Sequence, residues 1–453
     1  TWRGTLMGVA LALDTKQDLQ NLDYSKVKLT EEDKASHLMQ LQTLIAFFYL
    51  RGLDYFGGLP IFTSNEGENI PRSSDKETFE HIENLLKEAL PKLHKKQQGE
   101  AEEGALKQAA AAAMLAQLYF NAEAYIGEDH FDECATICQD IIDGEYGYYE
   151  LDDDWFGPHD FYNNESPEII WSTPSEFNKL QYNWFYADFY HYETYKYFGL
   201  DGGANNGAHL QPSRKPTGEI YTEFKLGKPF EKFDNEDLRK KPYIYRGAGK
   251  YEGMFLVGRQ ESPYGITRGT QEYKGEVIYF VDRVARFKKI GIEAPDTASL
   301  SSTMADGEEN TGIRWVKVPQ PNLADENLRN GADNPVIRLA EIYYMLAECK
   351  MRAGDKRTAA NLINQVRARN FANREDPNPV TADNLDKYRM IDEWGIEFLG
   401  EGRRRTDLIR WNMFVTESWW DHKPSNSTHL CRFPVPQQAI SGNNALQQNP
   451  GYE

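Results

Sequence analysis

Asp333-Asn334-Pro335-Val336-Ile337-Arg338-Leu339-Ala340-Glu341, followed by Tyr343, Leu346, Ala347, Gly354, Ala359 and Ile363, has the clearest architecture in this chain. Asp and Asn cap helices, and proline is tolerated in the first turn because its missing N–H has no partner there. The segment therefore predicts a helix opening at Pro335. The spacing from Tyr343 to Ile363 matches a tetratricopeptide unit, two antiparallel helices with small residues where they touch. A looser copy lies upstream. An Ala-rich segment, 105–125, carries Leu115, Ala116 and Tyr119, and a following helix carries Cys134, Cys138 and Ile141. On this reading the thiols are packing atoms.

Outward from these pairs, helix signals dominate residues 1–145. Leu38, Leu41, Leu44, Ile45, Phe48 and Leu53 share a helical face that Gly57-Gly58-Leu59-Pro60 ends. Ser73-Ser74-Asp75 offers caps to a helix bearing Phe79, Ile82, Leu85 and Leu90. Residues 146–332 differ, being rich in Gly, Tyr, Asp and Pro. Their best strand-like runs are Glu168-Ile169-Ile170-Trp171 and Val277-Ile278-Tyr279-Phe280-Val281. The expectation is a mainly α fold: a helical scaffold from 1–145 and 333–453, interrupted by a loop-rich ligand-binding lobe, 146–332, with short strands. Loops held on a rigid scaffold are where binding usually resides.

Composition narrows the function. A net charge of −19 repels phosphate backbones, which argues against a nucleic-acid partner. No apolar run is long enough to span a bilayer. Four cysteines without CxxC spacing indicate neither a disulfide framework nor a metal site. Phosphate loop, GxSxG and HExxH motifs are missing, and no cofactor is expected. Glu393, Glu397, Glu401 and Arg405 recur at i, i+4 on an Arg-rich stretch. That pattern reads as structural salt bridges, since glycoside hydrolysis needs two carboxyls facing each other across a sugar.

Several motifs resemble the SusD/RagB family. They are Phe56-Gly57-Gly58-Leu59-Pro60, Ser166-Pro167-Glu168-Ile169-Ile170-Trp171, Ile337-Arg338-Leu339-Ala340-Glu341, Glu401-Gly402-Arg403, and the ending Gln448-Asn449-Pro450-Gly451-Tyr452. The resemblance implies a tetratricopeptide scaffold with a loop-rich lobe, no enzymatic activity, and an outer-membrane lipoprotein at the cell surface. It implies capture of an oligosaccharide or polysaccharide, or in some members a peptide, for a SusC-like TonB-dependent transporter. The membrane is then met only through an N-terminal lipid anchor outside this sequence. The alternatives are a peptide or other nutrient binder of the same fold, a tetratricopeptide adaptor and a glycoside hydrolase.

The candidate ligand contacts are aromatic, because sugar C–H faces pack on electron-rich rings while hydroxyls seek flanking polar groups. Residues 182–198 are crowded with rings, among them Trp184, Tyr186 and Tyr190, with Asn183 and Asp188 beside them. Trp155, in Asp152-Asp153-Asp154-Trp155-Phe156-Gly157, and Trp315 beside Arg314 complete the set. Trp184 and Trp315 rank first. Asp152 and Asp154 are weaker Ca²⁺ candidates, lacking EF-hand spacing, and a solvated acidic loop is the plainer reading.

Overall fold

The computed structural model describes residues 2–452 apart from 65–68, 177, 178, 180–188, 203, 206, 207, 272, 287–299 and 330. The protein is mainly helical, with short strands that form no barrel among the described residues. Its scaffold is a row of helices, each packed on the next: Trp2–Asn21, Glu31–Phe56, Asp75–Ala89, Gln108–Phe120, Phe131–Ile142, Leu339–Arg352 and Lys356–Arg367. The chain leaves this row after Ile142 and rejoins it at Leu339.

Local chemistry explains the row. Thr30 with Asp33, and Ser74 with Glu77, form capping boxes that satisfy orphan N–H groups at two helix starts. Ala109 through Ala113 are wholly buried, so the Gln108–Phe120 helix lets its neighbours approach closely. Cys134, Cys138 and Cys349 are buried free thiols, with Cys134 and Cys138 Sγ atoms 3.9 Å apart.

The start of the Leu339–Arg352 helix corrects the sequence reading. Asn334–Arg338 is a strand, paired antiparallel with Ile169–Thr173, and Pro335 sits opposite Ser172. Asp333 caps nothing: its carboxylate accepts from Ser172 Oγ at 3.1 Å and Ser175 N at 2.8 Å. Proline also biases Asn334 towards extended backbone. The strand reading of Glu168-Ile169-Ile170-Trp171 matches Ile169–Thr173, whereas the run 277–281 yields only Tyr279–Phe280, paired with Gly258–Arg259.

Two apolar cores dominate the described residues, with three small clusters beside them. The larger lies among the scaffold helices and includes Ile170, Trp171, Ile337 and Trp394. The second is aromatic, with Phe161, Tyr190, Tyr197, Phe198, Tyr243 and Phe255 among its members, and reaches Ile396 of the Lys387–Glu397 helix. More than half of the lobe's described Phe, Tyr and Trp rings are therefore buried.

A buried ion cluster lies where strand, lobe and scaffold meet. Arg338 Nη1 donates to Glu168 at 3.0 Å and Glu397 at 2.9 Å, and its Nε and Nη2 donate to Glu401, both at 2.9 Å. Arg369 bonds Glu168 and Glu397, Arg239 reaches Glu397 at 2.9 Å, and Lys317 pairs with Glu401 at 2.9 Å. Burial alone raises the pKa of Glu397 and Glu401, but Arg338 and the neighbouring cations more than reverse it and hold both below the ordinary carboxylate range. The glutamate ladder is structural, but its partners come mostly from other elements, with Arg389, one turn before Glu393, as a helical neighbour. Glu393 binds Arg367 and Arg389, and Arg405 binds Asp54 at 3.0 Å rather than Glu401.

Candidate ligand-binding surface

The loop bearing Trp155 is tied to this ion cluster. Asp152 N donates to Glu168 Oε2 at 3.0 Å, and Arg369 Nη1 donates to the Asp152 carbonyl at 3.2 Å. The Asp152 carboxylate accepts from Ser166 Oγ at 2.8 Å and from Asp154 N at 3.2 Å. It also lies where a side chain on Gly157 would sit, with Oδ2 2.1 Å from an added Cβ, so any larger residue there would displace the Asp152 carboxylate. This anchoring holds Trp155 and Phe156 in place from behind.

Trp155, Phe156 and Tyr251 are half-buried and form one aromatic surface. Trp155 meets Phe156 edge-on at 5.5 Å, and Phe156 meets Tyr251 at 5.5 Å. Phe161 backs Tyr251 at 6.0 Å, and Tyr162 beside it is 63% exposed. Tyr251 is held within a hairpin, Ile244–Gly247 with Lys250–Glu252, opposite Tyr245, whose hydroxyl donates to Asp325 at 2.8 Å. The same loop walls a mixed groove of about 580 Å³, whose polar lining includes Asp152, Asp153, Asn361, Gln365 and Arg374. Arg374 pairs with Asp153 on its rim.

The other sequence candidates fall elsewhere. Trp184, Tyr186, Asn183 and Asp188 lie outside the described residues. Trp315, Arg314 and Tyr190 are interior, which corrects their reading as open contacts. Trp315 is 7% exposed, stacked on Phe189 at 4.8 Å, in a two-residue strand paired with Phe255–Leu256. Arg314 lies over the Phe280 ring at 4.1 Å and donates to the Thr311 carbonyl at 2.5 Å. Burial lowers its pKa to about 9. Tyr190 packs edge-on against Phe198 at 5.2 Å. These side chains form the floor beneath the lobe's surface. Asp152 is engaged as above and Asp154 is exposed; among the described residues no His, Cys, Asp and Glu group is arranged to hold a metal.

Gly400 fixes one edge of that floor. Its φ is +82°, and a Cβ there would stand 2.5 Å from Trp315 Nε1. Gly400→Ala is expected to cost about 1–3 kcal/mol through backbone strain and displacement of Trp315. A urea midpoint equal to wild type would show that the indole moves aside freely.

The sequence pattern of the SusD family matches residues 167–452. The chain belongs to the SusD family. It is 24% identical over 462 residues to the starch-binding protein SusD of Bacteroides thetaiotaomicron, covering 94% of this chain and 74% of that one. A SusD superfamily protein from Parabacteroides distasonis superposes with a TM-score of 0.68 at 17% identity, covering 100% of this chain and 85% of that one. Surface glycan-binding protein A from Bacteroides thetaiotaomicron, solved with laminarihexaose, gives a TM-score of 0.60 at 17% identity, covering 99% and 84%. At these identities the structural likeness establishes the shared fold. In this SusD-family chain the buried Glu168 and Glu397 and the half-buried Glu401 all fall within the matched residues.

Of this candidate surface, sequence reasoning singled out Trp155 as a proposed contact but not Tyr251, Asn361, Gln365 or Arg374. Gly249 and Gly253, both at positive φ, frame Tyr251 and were the available hairpin signal. Nothing local to Asn361 or Gln365 distinguishes them from any polar helix face.

Proposed function

We propose that this protein binds an oligosaccharide or polysaccharide at the bacterial cell surface without altering it. On this reading the captured glycan passes to a SusC-like TonB-dependent transporter, and an N-terminal lipid anchor holds the protein at the outer membrane. The observation that carries the proposal is the half-open Trp155–Phe156–Tyr251 surface on a firmly anchored loop, bordered by a groove of carboxylate, amide and guanidinium groups. Apolar ring faces suit sugar C–H groups, and the polar rim suits hydroxyls. The glycan-binding names of the SusD relatives support the same ligand class. Trp184, Tyr186, Asn183 and Asp188 belong to the proposed contact set on the sequence argument alone. A hydrolytic role is disfavoured because Glu393, Glu397 and Glu401 are engaged by arginines.

Isothermal titration against a polysaccharide panel tests this. Trp155→Ala is expected to weaken the best ligand by about 1–3 kcal/mol, as for a central aromatic contact, with the thermal midpoint unchanged. No reducing ends should appear on prolonged incubation. Unchanged affinity would remove Trp155 from the site; release of reducing sugar would overturn the non-catalytic reading. Binding of a peptide panel in place of every glycan would favour the peptide-binding alternative.

A further inference from the structure

A second cavity, of about 440 Å³, lies between lobe residues 209–232 and scaffold residues 392–407. None of its lining residues belongs to the aromatic surface. Much of the wall is apolar, with Leu210, Pro229, Ile396 and Leu399 on it. That volume falls within the range of about 300–1,000 Å³ typical of small-molecule pockets.

Its charges are not balanced. Lys232, Arg403, Arg404 and Arg405 all line it. Lys232 pairs with Asp392, Arg403 with Glu341, and Arg405 with Asp54. Among the described residues Arg404 has no carboxylate in contact. Its Nη1 donates to the Ile391 carbonyl at 2.6 Å, and no other hydrogen bond of its guanidinium is formed there. Asp392 and Asp407 also line the cavity and are felt by Arg404, but are engaged by Lys232 and, at 2.9 Å, by Arg410 respectively. Gly395 lets Arg404 approach, since a Cβ there would stand 3.0 Å from Nη1. Gln211 and His209 add further polar groups to the lining.

A guanidinium held in a largely apolar cavity without a contacting counter-ion calls for an anion, and its fork matches a carboxylate. The nearby Asp392 and Asp407 favour a single negative charge over a phosphate dianion. Gln211 offers both donor and acceptor to ligand hydroxyls. We propose that this cavity binds a small hydroxylated monocarboxylate of hexuronate size, with Arg404 as its anchor. The site is separate from the proposed glycan surface and does not depend on it.

The test is calorimetry on the full chain with D-glucuronate, D-galacturonate and D-mannuronate, each against its neutral parent hexose. At least one acid is expected to bind saturably, and its parent hexose at least about ten-fold more weakly. Arg404→Gln should weaken the acid by about ten- to a hundred-fold. Leu399→Trp, which fills the cavity from another wall, should abolish binding with the guanidinium intact. Trp155→Ala should leave acid binding unchanged, which separates this site from the glycan surface. The proposal fails if none of the acids binds, if acid and hexose bind alike, or if Arg404→Gln binds as wild type does. Should Arg404→Gln not fold, retained binding by Leu399→Trp overturns it equally.

Discussion

Arg338→Ala is expected to lower unfolding free energy by about 3–5 kcal/mol, a large share of the roughly 5–15 kcal/mol typical of a folded domain. Arg338 is 2% exposed and its guanidinium contacts three carboxylates, Glu168, Glu397 and Glu401. It also donates to the Glu397 carbonyl at 3.1 Å and lies over the Phe398 ring at 4.4 Å. Replacing a buried ion pair by apolar groups can be neutral, but deleting one partner leaves the other charged and dry. Here deletion strips a shared cation from three acids at once, with Arg369, Arg239 and Lys317 left to compensate. Arg338→Lys keeps the charge but cannot fork between Glu401 oxygens, so an intermediate loss is expected. Urea denaturation of the three proteins provides the measurement. A loss below about 1 kcal/mol for alanine would mean that the cluster adds little to stability.

That cluster also shows what was legible in the sequence. The helix pair around Tyr343–Ile363 was readable because small residues at fixed spacing report directly on helix contact. The glutamate ladder was readable as structural, since three acids one turn apart on a helix with arginines nearby suit ion pairs. Its partners were not readable: Arg338, Arg369 and Arg239 arrive from elements far apart in sequence. The same limit misplaced the helix start at Pro335, where Asp333 is claimed by Ser172 and Ser175, more than 150 residues away. It also misranked Trp315. An Arg-Trp dipeptide among loops looks like an exposed contact, and only pairing with Phe255–Leu256 and stacking on Phe189 make it core. Trp155 survived as a candidate because an Asp-rich turn around Gly157 keeps its loop at the surface. Tyr251 depended on a hairpin being brought against that loop.

Acid should dismantle the fold from the same place, in two stages that can be separated. Glu168, Glu397 and Glu401 are all held below the ordinary carboxylate value of 4.5, burial opposing and the arginines prevailing. In the unfolded chain they regain that value, so below about pH 5 the unfolded state binds more protons and stability falls steeply with pH. His159 acts earlier. It is 2% exposed with Nε2 3.6 Å from Glu401, and burial lowers its pKa from 6.5 to about 4, against the pull of Glu401. Between pH 6.5 and 4 the unfolded chain is therefore the more protonated at this residue. Its contribution is complete above pH 6.5 and declines as pH falls, by at most about 3 kcal/mol. Glu102 and Asp282, both raised by burial to about 7, oppose it: from pH 7 down to about 4.5 the folded state holds their protons more tightly. The His159 effect is thus read as the difference between wild type and His159→Gln. Urea midpoints at intervals from pH 8 to 3.5 should show that difference shrinking as pH falls through 6.5 to 4, while both proteins lose stability together below about pH 4.5. A difference independent of pH would mean that His159 titrates in the fold as it does in water, and that solvent reaches the Glu401 end of the cluster.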